Sequence, residues 1–454
     1  MNLIQPRTTQ GVMELLPGEQ IAFGRMLDTI RGAFERFGFV PIETPVFELT
    51  KVLLTKSGGE TEKQVYFVES TGSREQSRNK PDELPELALR FDLTVPLARY
   101  VAQHENQLVF PFRRYQMQRV YRGERAQKGR YREFYQCDID AIGKDTLPLS
   151  YDAEVAAVIH ELLVQLKIGD FTIRVNNRKL LKGVLDAQGV AAELQASVLH
   201  EIDRLDKMKR EDVVERIVKV GLSAEAAGAL LDVLTAKETS AATLSALESK
   251  FAANEGFIEL KQVYESMIAL GVSEKRVRVS PSTVRGLDYY TGTVYETFLD
   301  GAPGLGSICS GGRYENLAGY YTKSKLPGVG ISIGLTRLFE QLLELKLLPT
   351  TPGTAKVLVV NADPALRDDY FAIARELRAT GINTEVYGPK KDVGKQYDYA
   401  QRCGVPLAVV MNAGDKEKGT VLIKRVTVAQ DSADKQRIVA RGDLLSAVQG
   451  MLEK

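Results

Sequence analysis

Two stretches of this chain concentrate side chains able to hold a charged, polar ligand. Val284–Glu296 (VRGLDYYTGTVYE) puts the Arg285 guanidinium, the Asp288 carboxylate and the phenols of Tyr289 and Tyr290 within a few residues of one another. Arg119–Asp140 (RVYRGERAQKGRYREFYQCDID) gathers Arg122, Arg125, Lys128, Arg130 and Arg132 around Gly129, in a run that otherwise alternates like paired strands. Planar guanidinium groups grip phosphate oxygens bidentately, so cations on a β-hairpin suit a polyphosphate. Phenol hydroxyls beside a carboxylate suit a small polar molecule recognised by directed hydrogen bonds. The pair implies a nucleotide bound next to a small polar molecule.

The surrounding pattern predicts the elements that must position these residues. Glu19–Phe37 reads as an amphipathic helix, with Phe23, Leu27, Ile30, Phe34 and Phe37 spaced by four and three and Gly38 as a stop. Phe39–Val46 is extended, and its Pro41 and Pro45 point to an edge or interface. Ser70–Pro85 is polar and turn-rich, a surface loop. Phe112–Tyr121 and Tyr131–Ile139 are expected as strands flanking the basic loop, and Ser150–Lys167 as a helix. From about residue 178 to 271 helical periods take over, with breaks expected at Gly189, Gly221 and Gly256. The basic stretch there, Arg204–Arg210, reads first as a solvated helix face. Strand patterns return over Val277–Phe298, then a glycine-rich region, then a helix opening near Gly334. After a linker at Leu348–Thr354, strands and helices alternate to a final helix at Asp443–Leu452, which predicts a small α/β domain with a mainly parallel sheet.

At 454 residues the chain has room for two or three domains. Its 60 basic and 59 acidic residues nearly cancel, so any RNA contact must rest on local patches. Cys137, Cys309 and Cys403 form no CxxC spacing, which argues against a disulfide framework or structural zinc. No apolar run approaches a membrane span, and the N-terminus lacks a signal-peptide core. A cytoplasmic address and no membrane association are expected.

The motifs also carry a resemblance. Arg119–Asp138 resembles motif 2 of the class II aminoacyl-tRNA synthetases in the form found in the histidyl-tRNA synthetase family, and VRGLDYYTG resembles that family's histidine-specific signature. Gly328–Leu338 (GVGISIGLTRL) is similar to motif 3, and Ala88–Tyr100 (ALRFDLTVPLARY) to the segment beneath the amino acid's ammonium group. The N-terminal helix and proline-bearing strand resemble motif 1, which builds the dimer interface in that class. The likeness covers nearly the whole chain, in order.

The resemblance implies an α/β (α+β) protein in three parts. These are an antiparallel-sheet catalytic domain over 1–347, a helical insertion at 178–271 within it, and an α/β anticodon-binding domain over 354–454. It implies a homodimer that uses ATP and Mg²⁺, activates L-histidine and passes it to a tRNA. Arg122 would hold the α-phosphate, with Arg337 on the ATP side, Phe134 stacked on adenine, and Glu124 and Arg130 completing the nucleotide contacts. Asp92 and Thr94, with Gln136 beside them, would hold the ammonium group, and Leu93 would belong to the histidine-binding set. Asp140, Tyr290 and Tyr314 would read the imidazole, and Tyr289 would also belong to the histidine-binding set. Arg285 would bridge the substrate carboxylate and the α-phosphate, where related synthetases commonly use a metal ion. No magnesium ligands are assigned. Gly311 and Gly312 would let the backbone pass close under the substrate. Positions 92 and 140 hold Asp where many bacterial members carry Glu, a form nearer the eukaryotic type.

The chemistry fits the residues. A carboxylate nucleophile is already ionised at neutral pH, so activation needs positioning and charge stabilisation, and no general base. None of the three histidines lies in a motif. The main rival is the synthetase-like regulatory subunit of ATP phosphoribosyltransferase, which generally lacks the C-terminal domain and part of the arginine set. Here Arg122, Arg285 and Arg337 are all present.

Overall fold

The computed structural model describes residues 3–54, 64–72, 74, 84–125, 129–206, 208–284, 290–389, 391–426 and 435–453. Arg285, Tyr289, Lys128 and much of the Ser70–Pro85 loop therefore lie outside the described residues. The chain divides into two compact units, residues 1–14 with 26–347 and residues 15–25 with 348–454. Residues 15–25 join the second unit through approaches such as Gly18 to Thr351 and a 3.3 Å hydrogen bond from Arg25 to Thr351 Oγ1.

In chain order the first unit holds β1 (Val40–Pro41), β2 (Phe47–Leu49), β3 (Tyr66–Val68), β4 (Leu87–Leu89), β5 (Phe112–Tyr121) and β6 (Glu133–Ile142). It continues with β7 (Phe171–Asn177), β8 (Val277–Val279), β9 (Thr293–Leu299), β10 (Cys309–Tyr314) and β11 (Gly328–Gly334). Eight of these form one sheet in the order β1-β5-β6-β11-β10-β9-β7-β8, while β2-β4-β3 form a small one. The inner pairings of the large sheet are antiparallel, and only the edge strands β1 and β8 run parallel to their neighbours.

Period-two alternation gives the large sheet two different faces. Cys137, Ile139 and Ala141 of β6 and Val329, Ile331 and Ile333 of β11 are buried, and the apolar helix Ser150–Leu166 packs across β6, β7 and β11. The intervening residues, Gln136, Asp138 and Asp140 on β6 and Gly330 and Ser332 on β11, form the other face. That polar face carries the site.

The stretch after β7 is helical as expected: Arg178–Ala187, Ala192–Ile202, Arg210–Val220, Ala224–Leu234, Ser240–Phe251 and Glu255–Ala269. Gly189 and Gly221 follow helix ends with φ of 69° and 129°, values that favour glycine. The expected break at Gly256 is corrected. Gly256 lies inside the last helix, which begins instead at the Asn254 cap, where the side chain accepts from the Phe257 N–H at 3.1 Å. Glycine is needed at 256 for contact, because a Cβ there would fall 2.1 Å from the Leu180 nitrogen.

The second unit holds β12 (Val357–Val359), β13 (Thr384–Val386), β14 (Leu407–Val410), β15 (Thr420–Arg425) and β16 (Gln436–Ala440), ordered β13-β12-β14-β15-β16. Its sheet is mixed, which corrects the mainly parallel expectation: β13, β12 and β14 are parallel, whereas β15 and β16 are antiparallel additions. Between β14 and β15 the only helix is the short Ala413–Glu417, too little chain for a parallel crossover of about a dozen residues. Its core packs Tyr370, Ile373 and Leu377 of one helix and Leu444, Val448 and Met451 of another against β12, β14 and β15.

Candidate active site

Strand register assembles the site across five strands. Glu296 on β9 faces Ser310 on β10, Ser310 faces Ser332 on β11, Ser332 faces Asp138 on β6, and Asp138 faces Gln116 on β5. One step along, Gly312, Gly330, Asp140 and Arg114 form a second row. Residues close in the chain contribute only alternate side chains to this face, so the site is built from many strands.

Above this face lies a cavity of about 570 Å³. Its lining includes Asp92, Thr94, Arg122, Glu124, Arg130, Phe134, Gln136, Tyr290 and Arg337, all expected from the sequence. Gln64, Glu296 and Ser332 also border it. Leu93 does not: its side chain is fully buried at the start of the helix Thr94–His104. A larger hollow of about 790 Å³ lies at the other end of the sheet, beside β7 and β8. Both of its arginines are occupied locally. Arg174 stacks on Phe298 at 4.2 Å, and Arg278 donates to the Lys237 and Glu238 carbonyls.

The basic hairpin forms one wall. The Arg122 Nε donates to the Phe91 carbonyl at 3.1 Å, and its guanidinium carbon lies 5.0 Å from the Phe134 ring centroid. Arg130 reaches Glu124 at 3.3 Å across the turn. Arg337 is the third residue of the helix Leu335–Glu344, where a cation opposes the helix dipole. It extends toward the hairpin turn and the Gly306 loop, since a Cβ on Gly129 would lie 3.6 Å from its Nε and one on Gly306 3.6 Å from its Nη2.

A cluster of buried aspartates lies beside the cavity, and of these Asp92 alone borders the open space. Asp92, Asp138 and Asp140 are all buried, and Arg114, fully buried, lies 2.5 Å from Asp140. Burial pushes Asp92 up to about 6, against the pull of the Val95 N–H, Arg122 and Arg114. Burial likewise raises Asp140 to about 6 and Asp138 to about 7, with Arg114 as the main counterweight.

Asp140 and Tyr314 are brought together but not into the cavity. The Tyr314 hydroxyl donates to Asp140 Oδ1 at 3.0 Å, and neither residue borders the open space. Their packing depends on glycines opposite: a Cβ on Gly330 would fall 2.0 Å from Asp140 Oδ1, and one on Gly328 2.4 Å from the Tyr314 ring. Tyr290 packs against Tyr314 and does reach the cavity. Gly312 makes room for the Tyr290 ring, whereas Gly311 abuts the Gly330 carbonyl and Ile331. Arg313, next in the chain, points away and forms a buried ion pair with Asp152 at 2.6 Å.

With this geometry in view, the comparisons with known proteins are specific. The histidyl-tRNA synthetase family model matches residues 11–338. The chain belongs to the histidyl-tRNA synthetase family. An anticodon binding domain model matches residues 356–451. A protein of Xanthomonas campestris described as a histidine–tRNA ligase is 55% identical over 470 aligned positions, covering 100% of this chain and 98% of that protein. One from Xylella fastidiosa with the same description is 54% identical, covering 100% and 99%. The crystal structure of a histidyl-tRNA synthetase from a Nostoc species superposes with a TM-score of 0.89 at 38% identity, covering 99% of this chain and 100% of that one.

Sequence reasoning missed Glu296, Arg114, Asp138 and Ser332. A signal existed for two of them. Glu296 is the one charge in the otherwise uncharged strand TVYETFL, and Arg114 alternates with Gln116 and Gln118 in FRRYQMQR, a polar face inside a buried strand. Asp138 and Ser332 gain meaning only from the register that pairs them.

Proposed function

We propose that the chain activates L-histidine with ATP and then transfers histidine to the 3′ end of its tRNA. A histidine carboxylate oxygen attacks the α-phosphorus. The bond to the β-phosphate oxygen breaks and pyrophosphate leaves. A hydroxyl of the terminal ribose then attacks the acyl carbon and AMP departs. The observation that carries this is the cavity itself, whose lining brings Arg122, Arg130 and Arg337 together with the buried Asp92 carboxylate.

In this scheme Arg122 and Arg337 hold phosphate oxygens, while Glu124, Arg130 and Phe134 bound the nucleotide. Asp92, Thr94 and Gln136 receive the ammonium group. Tyr290 offers its hydroxyl to the imidazole, backed by the buried Asp140–Tyr314 pair. Arg285 would bridge the histidine carboxylate and the α-phosphate. Such a polar pocket penalises apolar amino acids by leaving buried groups unpaired.

Magnesium would enter with the triphosphate. It binds protein through one or two carboxylates plus phosphates, and Glu124 and Glu296 on the cavity wall are donors of the right kind. Among the described residues no group of three potential ligands forms a metal cage.

Residues 354–454 would read the anticodon, supported by the match to the anticodon binding domain model. The helical insertion at 178–271 would lean over the tRNA. Of its basic stretch, Arg204 and Arg210 are already paired with Glu201 and Asp232. A homodimer is supported by apolar exposure at Val40, Phe47 and Leu87 on β1, β2 and β4. A cytoplasmic location fits the free cysteines, and among the described residues no helix is long and apolar enough to cross a membrane.

The test is ATP–pyrophosphate exchange with each amino acid in turn. Exchange with histidine alone, dependent on magnesium, is expected. Equal exchange with another amino acid, or none with any, defeats the proposal.

A further inference from the structure

We propose that Asp138 and Ser332 are positioning residues that fix which end of the Gln136 amide faces the ammonium group of the amino acid. This deepens the function proposed above and rests on it.

The three side chains form one directed chain. Above about pH 7, where Asp138 is ionised, its carboxylate only accepts hydrogen bonds, so the Ser332 hydroxyl donates to Asp138 Oδ1, at 2.5 Å. With its proton committed, the Ser332 oxygen accepts from Gln136 Nε2, at 2.8 Å. The amide is thereby set in one sense, with its NH₂ end held by protein. Its Oε1 is buried and accepts from no group among the described residues. Gln136 and Ser332 both border the cavity, whereas Asp138 stands behind them, 2% exposed. Register holds the arrangement: Ser332 is directly opposite Asp138, and Gly334, opposite Gln136, has no side chain to compete.

A carbonyl oxygen attracts an ammonium group, and an NH₂ group in its place would repel it. The orientation therefore decides whether Gln136 helps or hinders. Asp138 sets it from two residues away, without touching substrate.

Asp138→Asn keeps the shape and reverses the logic. The new amide can donate to Ser332, which frees the Ser332 hydroxyl to donate to Gln136 Oε1 and turns the NH₂ end toward the cavity. The KM for histidine and the Kd for histidinol, which keeps the ammonium, should rise about ten- to a hundredfold, the scale of a charge-assisted hydrogen bond. The Ki of imidazolepropionate, which lacks the ammonium, and the KM for ATP should stay at parent values, and kcat should fall less than KM rises. Ser332→Ala should weaken the same two ligands, and Ser332→Thr, which retains a hydroxyl, should restore them. This serine pair decides the matter even if Asp138→Asn does not fold. Equal weakening of ligands with and without the ammonium, or no change in either, overturns the positioning role. Absence of histidine exchange in the parent protein would instead defeat the proposed function as well.

Discussion

Replacing Arg122 tests how the cavity handles phosphate. Its Nε is spent on the Phe91 carbonyl at 3.1 Å, and its main-chain N–H donates to the Arg132 carbonyl at 2.8 Å, pinning the start of the hairpin. Only the terminal guanidinium nitrogens remain for the nucleotide. If these nitrogens hold the α-phosphate as proposed, Arg122→Ala removes donors aimed where negative charge develops, a loss of roughly 3–4 kcal/mol, or about 10²–10³ in the activation rate. It also removes the stacking on Phe134, worth about 0.5–1 kcal/mol, and a charged hydrogen bond worth about 1.5–3 kcal/mol, so a moderate loss of thermal stability should accompany the kinetic loss. Asp92 loses one of the cations that hold its carboxyl down, so it should titrate higher than about 6. Arg122→Lys should recover little, because one ammonium cannot hold the Phe91 carbonyl and grip a phosphate at once. The assay is histidine-dependent ATP–pyrophosphate exchange at saturating ATP, alongside thermal unfolding. Exchange by Arg122→Ala within a few-fold of the parent would show that the arginine only braces the hairpin, and the phosphate assignment would fall.

Arg285→Ala should also reduce activation by about 10²–10³ while sparing transfer from pre-formed adenylate, where that phosphoryl displacement is complete; near-parental activation would make this arginine structural. Deleting residues 354–454 should leave histidine-dependent exchange, itself the proof of folding, while tRNA charging drops severely; charging at the intact protein's efficiency would refute the anticodon role. Acidification should move activity and stability in opposite directions. Asp92, raised to about 6, loses its charge as pH falls through that value, so the KM for histidine should climb below about pH 6. Because Asp92, Asp138 and Asp140 bind protons more tightly folded than unfolded, their burial cost is present above about pH 7 and is relieved toward pH 5, so their contribution to stability should rise over that window. A flat KM profile, or a cluster contribution that falls on acidification when the parent is compared with Asp138→Asn, would contradict this. Gly330→Ala should displace Asp140 from Arg114 and Tyr314 and cost about 1–3 kcal/mol of stability, read by urea unfolding; an unchanged midpoint would mean the sheet absorbs the methyl group.

Much of this was local and therefore legible from the chain alone. Helical periodicity predicts helices over Glu19–Phe37 and Ser150–Lys167, found at Pro17–Arg36 and Ser150–Leu166, and alternation predicts β5 and β6 around the basic loop. The residue types of the cavity walls could be named for the same reason: Arg122, Glu124 and Arg130 lie in one contiguous stretch, as do Asp92 and Thr94. What the chain could not reveal by itself came from pairing between distant strands. The break expected at Gly256 was a contact with Leu180, and the expected parallel sheet acquired two antiparallel strands, because such choices depend on partners remote in sequence. Asp140 and Tyr314 look like ligand-facing groups in isolation, yet Gly328 and Gly330 on a neighbouring strand let them close on each other behind the cavity wall. Ser332 and Asp138 are unremarkable where they stand in the chain, and Glu296 stands out only as a lone charge in its strand. They share a row only because the β9-β10-β11-β6 register puts alternate residues of each strand on one face, a property no single strand possesses.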